Sequence, residues 1–180
     1  TDRSRGLGDV YKRQVIDACI ESLKNKETSY TSNWGLLELR EEISGLFKKR
    51  YGLEYDPMNE IMITVGVSEA ITVVMQTILN QGDQVLMPDP AYLAYPACVR
   101  LVGGTPVLVP TFSDDEFRLS VDKLEEKLTT KTKALLIGYP NNPTGTVMDQ
   151  AALEEIAAFA QRHDLIVISD EIYCDLTYEG

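Results

Sequence analysis

From residue 15 onward the apolar positions alternate between two spacings. Recurrence at three and four residues predicts helices over 15–24, 35–51, 68–80, 92–102, 121–128 and 151–163. Short runs of mostly β-branched residues predict strands over 61–65, 84–87, 106–109, 134–137 and 165–169. The strands and helices succeed one another in turn. Strands that are apolar on both faces and joined by helices must be covered on two sides, so the fold class is α/β, a mostly parallel doubly wound sheet. No internal repeat or interdomain linker interrupts residues 15–180, which are expected to form part of one large domain. Residues 1–14 are different: Arg3, Arg5, Lys12 and Arg13 outweigh Asp2 and Asp9, a basic leader on an acidic chain. It is set apart as a disordered or artefactual tail.

The punctuation agrees with these boundaries. Gly52 follows Lys48, Lys49 and Arg50, whose charges suit a helix C-terminus, and Gly82 and Gly103 are expected to stop two other helices. Ser120 and Asp149 stand where side-chain caps belong. Pro96 fits only if it lies in a helix's first turn, which moves the start of the 92–102 helix later.

Composition narrows the function. The chain has 180 residues, 44% hydrophobic and 25% charged, enough for a core without disulfide or metal staples. With 17 Lys+Arg against 28 Asp+Glu the net charge is -11, a field that repels phosphate backbones and anionic lipid, so neither nucleic acid nor membrane is an expected partner. Cys19, Cys98 and Cys174 are too widely spaced for a zinc site or a small disulfide framework, which points to a reducing cytoplasm. No apolar run has the length of a membrane span or a signal sequence. The single histidine, His163, leaves little room for a histidine-based triad or metal site, and it is read as a helix end.

The unusual residues fall in four loops, each after a predicted strand: Gly66-Val67-Ser68-Glu69-Ala70, Pro88-Asp89-Pro90-Ala91-Tyr92, Tyr139-Pro140-Asn141-Asn142-Pro143-Thr144-Gly145 and Asp170-Glu171-Ile172-Tyr173. Ligands of open parallel sheets bind beyond the carboxyl ends of the strands, so all four are expected to share one edge. The first loop offers N–H groups and the Ser68 hydroxyl at a helix start, where a phosphate fits, or Ser68 simply caps the helix. It is neither a dinucleotide fingerprint nor a P-loop. Asn142, before Pro143, points inward from a tight turn or sits in an ordinary surface turn. Asp170 ends an apolar run, where an unpaired carboxylate is costly. Its partner is an internal one or a cationic ring nitrogen, a bond worth about 1.5–3 kcal/mol. Tyr92 and Tyr173 are core-edge aromatics or groups that stack on or donate to a flat ligand.

Taken in order, these motifs resemble the class I/II aminotransferases of the fold type I pyridoxal-phosphate enzymes, over essentially all of residues 15–180. Tyr30, Gly35 and Leu39-Arg40 are similar to that family's Tyr-x4-Gly-x3-Leu-Arg segment. The Gly66 loop is similar to its phosphate loop, and Pro90-Ala91-Tyr92 to its ring-stacking segment. Asn141-Asn142-Pro143-Thr144-Gly145 and Asp170-Glu171-Ile172-Tyr173 are the most specific matches. The resemblance implies pyridoxal 5'-phosphate as cofactor, with Val67, Ser68 and Glu69 near its phosphate and Tyr92 stacked on its ring. It implies Asn142 and Tyr173 on the phenolic oxygen and Asp170 on the ring nitrogen, keeping the ring a strong electron acceptor. Asp170 and Tyr173 are then the catalytic candidates. Tyr30 is expected to reach the phosphate of a neighbouring subunit in a homodimer, and Gly35 and Asn142 to lie near the substrate. The implied reaction moves an amino group between an amino acid and a 2-oxo acid.

The chain departs from the pattern at both ends. The family's cofactor-bearing lysine lies downstream of the Asp-x-x-Tyr segment, and this sequence stops ten residues after Asp170. Lys131 and Lys133 precede the Asn-Pro loop and are in the wrong place. The expectation is therefore a fragment of the large domain that is inactive alone and holds the cofactor weakly at best. Two other readings keep the ring contacts: a carbon-sulfur lyase, and an aminotransferase-like effector domain of a transcriptional regulator. A plain nucleotide-binding module is disfavoured by the missing glycine fingerprint.

Overall fold

A computed structural model describes residues 12–176. The chain divides into two compact units, one through Ile63 and one from Thr64. Residues 1–11 of the predicted leader lie outside the described residues, and Arg13 and Gln14 already belong to the first helix.

The first unit contributes α1 (Arg13–Lys24) and α2 (Leu37–Tyr51). Its apolar stripe on α1, formed by Val15, Ile16, Ile20 and Leu23, is exposed. Among its described residues only Arg40 is buried, and its guanidinium donates to the Pro57 carbonyl. Gly52 closes α2 in the left-handed region at φ 70°, its N–H on the Lys48 carbonyl, as the basic last turn and glycine predict.

The second unit is the doubly wound layer. It runs α3 (Val67–Ile78), β1 (Gln84–Asp89), α4 (Ala94–Leu101), β2 (Thr105–Pro110), α5 (Val121–Lys127), β3 (Thr132–Gly138), α6 (Gln150–Arg162) and β4 (Ile166–Asp170). The four strands are parallel in the order β2-β1-β3-β4. Because successive side chains of a strand point to opposite faces, two cores form. Val85, Met87, Ala134 and Leu136 pack with α3 and α4 through Ile71, Met75, Cys98 and Val99. Leu86, Leu135 and Ile137 pack with α5 and α6 through Leu124, Ile156 and Phe159.

Five differences from the sequence reading have local causes. No strand forms over 61–65 among the described residues: the backbone is held by a bond from Ile63 N–H to the Trp34 carbonyl, and Val65 is 90% exposed. Gly66 rather than Ser68 is the N-cap of α3. Ser120 is the N-cap of α5 but makes no side-chain cap bond, whereas Asp149 accepts from Ala152 N–H at 2.9 Å. Gly82, at φ 87°, shapes the turn into β1, and α3 itself ends at Leu79 in extended backbone. His163 ends α6 as expected, yet its ring also meets Glu125, which accepts from Arg162 as well and so ties α5 to α6. Pro96 sits in the first turn of α4, whose helix starts at Ala94.

Candidate functional site

The chain passes from β1 outward to β2, then crosses back to β3 on the other side of β1, so the direction of winding reverses between β1 and β3. Their pairing runs from Gln84–Thr132 through Leu86–Leu135 and does not continue over Met87–Asp89. A reversal with parting strand ends is where open α/β sheets bind ligands. A hollow of about 280 Å³ opens there, at the small end of the roughly 300–1,000 Å³ range of ligand pockets. All of its lining residues belong to the second unit.

Ser68, Tyr92, Asn142 and Asp170 border this one hollow, together with Val67 and Tyr173. The four loops singled out in the sequence therefore do meet at one edge. Each arrives by a different element. Gly66, at φ 79°, turns the chain into α3 and, having no side chain, leaves the N–H groups of the helix's first turn without a side-chain cap. The positive end of the helix dipole therefore faces the hollow at Val67 and Ser68. Glu69 is not among the lining residues; its carboxylate turns back to accept from the N–H of Val65.

Tyr92 follows β1, partly exposed, with its ring edge-on to Tyr95 at 5.6 Å and 84°. Asn142 is held by its neighbour. Asn141 is buried, accepts on its side-chain oxygen from Thr144 Oγ1 at 2.9 Å and Thr144 N–H at 3.3 Å, and receives Gly145 N–H on its carbonyl. Thr146 Oγ1 anchors the same loop to the Glu116 carbonyl at 2.8 Å.

Asp170 ends β4 half-buried, and its carboxylate has two donors. Tyr95 Oη donates to Oδ2 at 2.7 Å, and Ile172 N–H to Oδ1 at 3.1 Å. Burial, and next the hydrogen bond to Asp170, push the Tyr95 phenol well above its ordinary value, so it stays a neutral donor. Val65 and Gly138 also line the hollow, and Tyr95 is the lining side chain with a polar group that the sequence reading missed. It lies three residues after Tyr92, and Tyr95 N–H bonds the Tyr92 carbonyl, so the spacing that puts the two rings on one turn was the available signal. Tyr30, fully exposed, and Gly35, at φ 86°, belong to the first unit; a Cβ at Gly35 would lie 2.6 Å from Ile63 Cβ. Lys131 and Lys133 sit at the start of β3, the far end of the strand from the hollow.

The side-chain oxygens of Ser68 and Tyr173 and the Asn142 amide have no protein hydrogen-bond partner among the described residues. A bare helix start, an aromatic ring, an amide, a phenol and a doubly held carboxylate suit a flat, anionic, nitrogen-containing ligand. Fold and site together define a doubly wound parallel α/β layer with a concave, polar-lined hollow at its switch point.

Comparison with known proteins sharpens this. The family model described as aminotransferase class I and II matches residues 7–180, and the chain belongs to that family. It is 46% identical over 179 residues to the putative aminotransferase YugH of Bacillus subtilis, covering 98% of this chain and 46% of that one. It is 49% identical over 160 residues to aromatic-amino-acid aminotransferase 2 of Thermococcus litoralis, covering 89% and 41%. The crystal structure of the aromatic aminotransferase from Pyrococcus horikoshii superposes with a TM-score of 0.91 at 47% identity, over 96% of this chain and 46% of the other. The chain thus spans less than half the length of these relatives.

Proposed function

We propose that this chain is the amino-terminal part of the cofactor-binding large domain of a pyridoxal 5'-phosphate-dependent aminotransferase. The observation that carries the proposal is the single hollow in which Ser68, Tyr92, Asn142, Asp170 and Tyr173 converge. When bound, the cofactor would supply an electron-accepting ring and an aldehyde carbon that takes up the amino group of the substrate.

The chain's own residues then have separate tasks. The first turn of α3, with Ser68, binds the phosphate through N–H groups and a hydroxyl, a placement worth about 0.3–1 kcal/mol when exposed and up to about 2 when partly buried. Glu69 serves that loop indirectly, holding Val65 through its N–H. Tyr92 covers one face of the ring. Asn142 and Tyr173 bond the ring's phenolic oxygen, and Asp170 keeps a proton on its nitrogen, a charge-assisted bond. Tyr30 and Gly35 are assigned to the phosphate of a neighbouring subunit and to the substrate respectively, as the family resemblance implies, which makes the working protein a homodimer.

The substrates are an amino acid and a 2-oxo acid. Three cysteines, all free, are compatible with the reducing cytoplasm as the place of work. The named relatives are aminotransferases, which favours amino transfer over the lyase and regulator readings. The test is to supply the full-length protein with amino acids and 2-oxo acids and to score keto acid, ammonia and thiol together. Matched conversion of one amino acid and one 2-oxo acid is expected; release of ammonia or thiol in place of the exchanged pair overturns the reading.

A further inference from the structure

Tyr95 stands apart from the residues that face the proposed cofactor, because its hydroxyl is spent inside the protein. It is 4% exposed, and its oxygen donates to Asp170 Oδ2 at 2.7 Å. Its ring meets the Tyr92 ring edge-on at 5.6 Å. One side chain on α4 therefore touches both the aromatic plate and the acid, which come from loops after different strands. The backbone makes room for this. A Cβ at Gly138, the last residue of β3, would lie 2.6 Å from Tyr95 Oη and 3.5 Å from Asp170 Cβ. Gly138 pairs with Asp170 across β3 and β4, so the phenol reaches the carboxylate over a residue that has no side chain.

We infer that Tyr95 is a positioning residue, which fixes the Asp170 carboxylate at a set distance from the Tyr92 ring so that the acid meets the ring nitrogen of a ligand lying on that plate. The inference rests on the cofactor reading above and adds a residue that the ligand does not touch through the hydroxyl. A carboxylate has two oxygens and free rotation about its last bond. With Oδ1 taken by Ile172 N–H and Oδ2 by Tyr95, that rotation is arrested before any ligand arrives. Tyr95→Phe keeps the ring and its edge contact and removes only the oxygen.

The experiment measures affinity of the full-length protein for pyridoxal 5'-phosphate and for its carbocyclic analogue, in which the ring nitrogen is replaced by C–H. Tyr95→Phe is expected to weaken the nitrogen-containing ligand about three- to tenfold and to leave the carbocyclic one unchanged. In an Asp170→Asn background the Tyr95→Phe effect is expected to vanish. Equal weakening of both ligands, or an undiminished effect in the Asp170→Asn background, assigns Tyr95 a purely structural part and overturns the inference while leaving the cofactor reading standing. If the unsubstituted protein distinguishes neither ligand from inorganic phosphate, the cofactor reading itself fails and takes the inference with it.

Discussion

The two ends of the same four-stranded sheet treat their polar groups in opposite ways. Where the strands begin, polar groups close on one another: Thr129 Oγ1 donates to Gln84 Oε1 at 2.6 Å, Gln84 N–H to the Lys131 carbonyl, Thr105 N–H to the Asp83 carbonyl and Gly82 N–H to the Gly103 carbonyl. Where the strands end, Ser68, Asn142 and Tyr173 border a hollow with their polar atoms unspent. Ser68 and Asn142 are exposed and Tyr173 half-buried, so solvent serves these groups at little cost and they stay available to a ligand that enters the hollow. The first edge is spent on architecture, and the second carries the candidate site.

Substitutions at each end should therefore differ in what they damage. The largest effect is expected for Asp170→Ala in the full-length protein, with turnover reduced about 100-fold or more while cofactor content falls much less. Gln84→Ala at the opposite end should leave turnover near its starting value. Steady-state kinetics beside cofactor absorbance separates the two, and equal turnover in both variants would remove the assigned part of Asp170.

Next in size is the packing that supports both ends. Leu86 is fully buried between the sheet and α5 and α6, and Leu86→Ala should lower stability by about 2–5 kcal/mol in denaturant titration. Gly138→Ala, with its new Cβ 2.6 Å from Tyr95 Oη, should cost about 1–3 kcal/mol and do so at the site end. An unchanged midpoint for Gly138→Ala would mean that the phenol is not held against Asp170.

Alkali gives a smaller and directional effect. Burial, with the bond to Asp170 after it, raises the Tyr95 phenol, and burial pushes that of Tyr139 up to about 12. A raised folded-state value contributes stability that is whole below the unfolded phenol's value near 10 and is lost as pH rises through the folded one. Stability should thus begin to fall above about pH 10, and more shallowly in Tyr95→Phe. Identical slopes in the two proteins would contradict the assignment.

The smallest expected contrast is between two helix starts. Asp149→Ala should cost about 0.5–2 kcal/mol because the carboxylate accepts from Ala152 N–H, whereas Ser120→Ala should be near neutral because that hydroxyl makes no cap bond. The same denaturant titrations measure both, and a cost at Ser120 equal to that at Asp149 would reverse the reading.

How much of this was legible in the sequence follows from what kind of information each feature needs. Strands β1 to β4 and helices α1 to α6 were readable because their apolar spacing records burial, and two-sided burial of Val85, Leu86 and Met87 is written as an unbroken run. Three of the four loops were placed at one edge by strand polarity, whereas the Gly66 loop follows no strand among the described residues and comes to that edge through the start of α3. Residues 61–65 carry the same β-branched signature, but that signature reports suitability for extended backbone and not the presence of a partner strand. The cap failed at Ser120 because a cap bond depends on a single side-chain torsion, which periodicity does not encode, and at Ser68 because the helix starts one residue earlier, at Val67, with Gly66 as its N-cap. Tyr95 escaped because a tyrosine on the apolar face of a helix reads as core. Only its contact with a residue 75 positions away gives the hydroxyl a task.

The most direct test of the account is a structure of the full-length protein with pyridoxal 5'-phosphate bound. The account predicts the ring lying against Tyr92, its nitrogen within hydrogen-bond reach of Asp170 and its phosphate at the first turn of α3 beside Ser68. A cofactor seated elsewhere, or one in this hollow with its nitrogen turned away from Asp170, would contradict it.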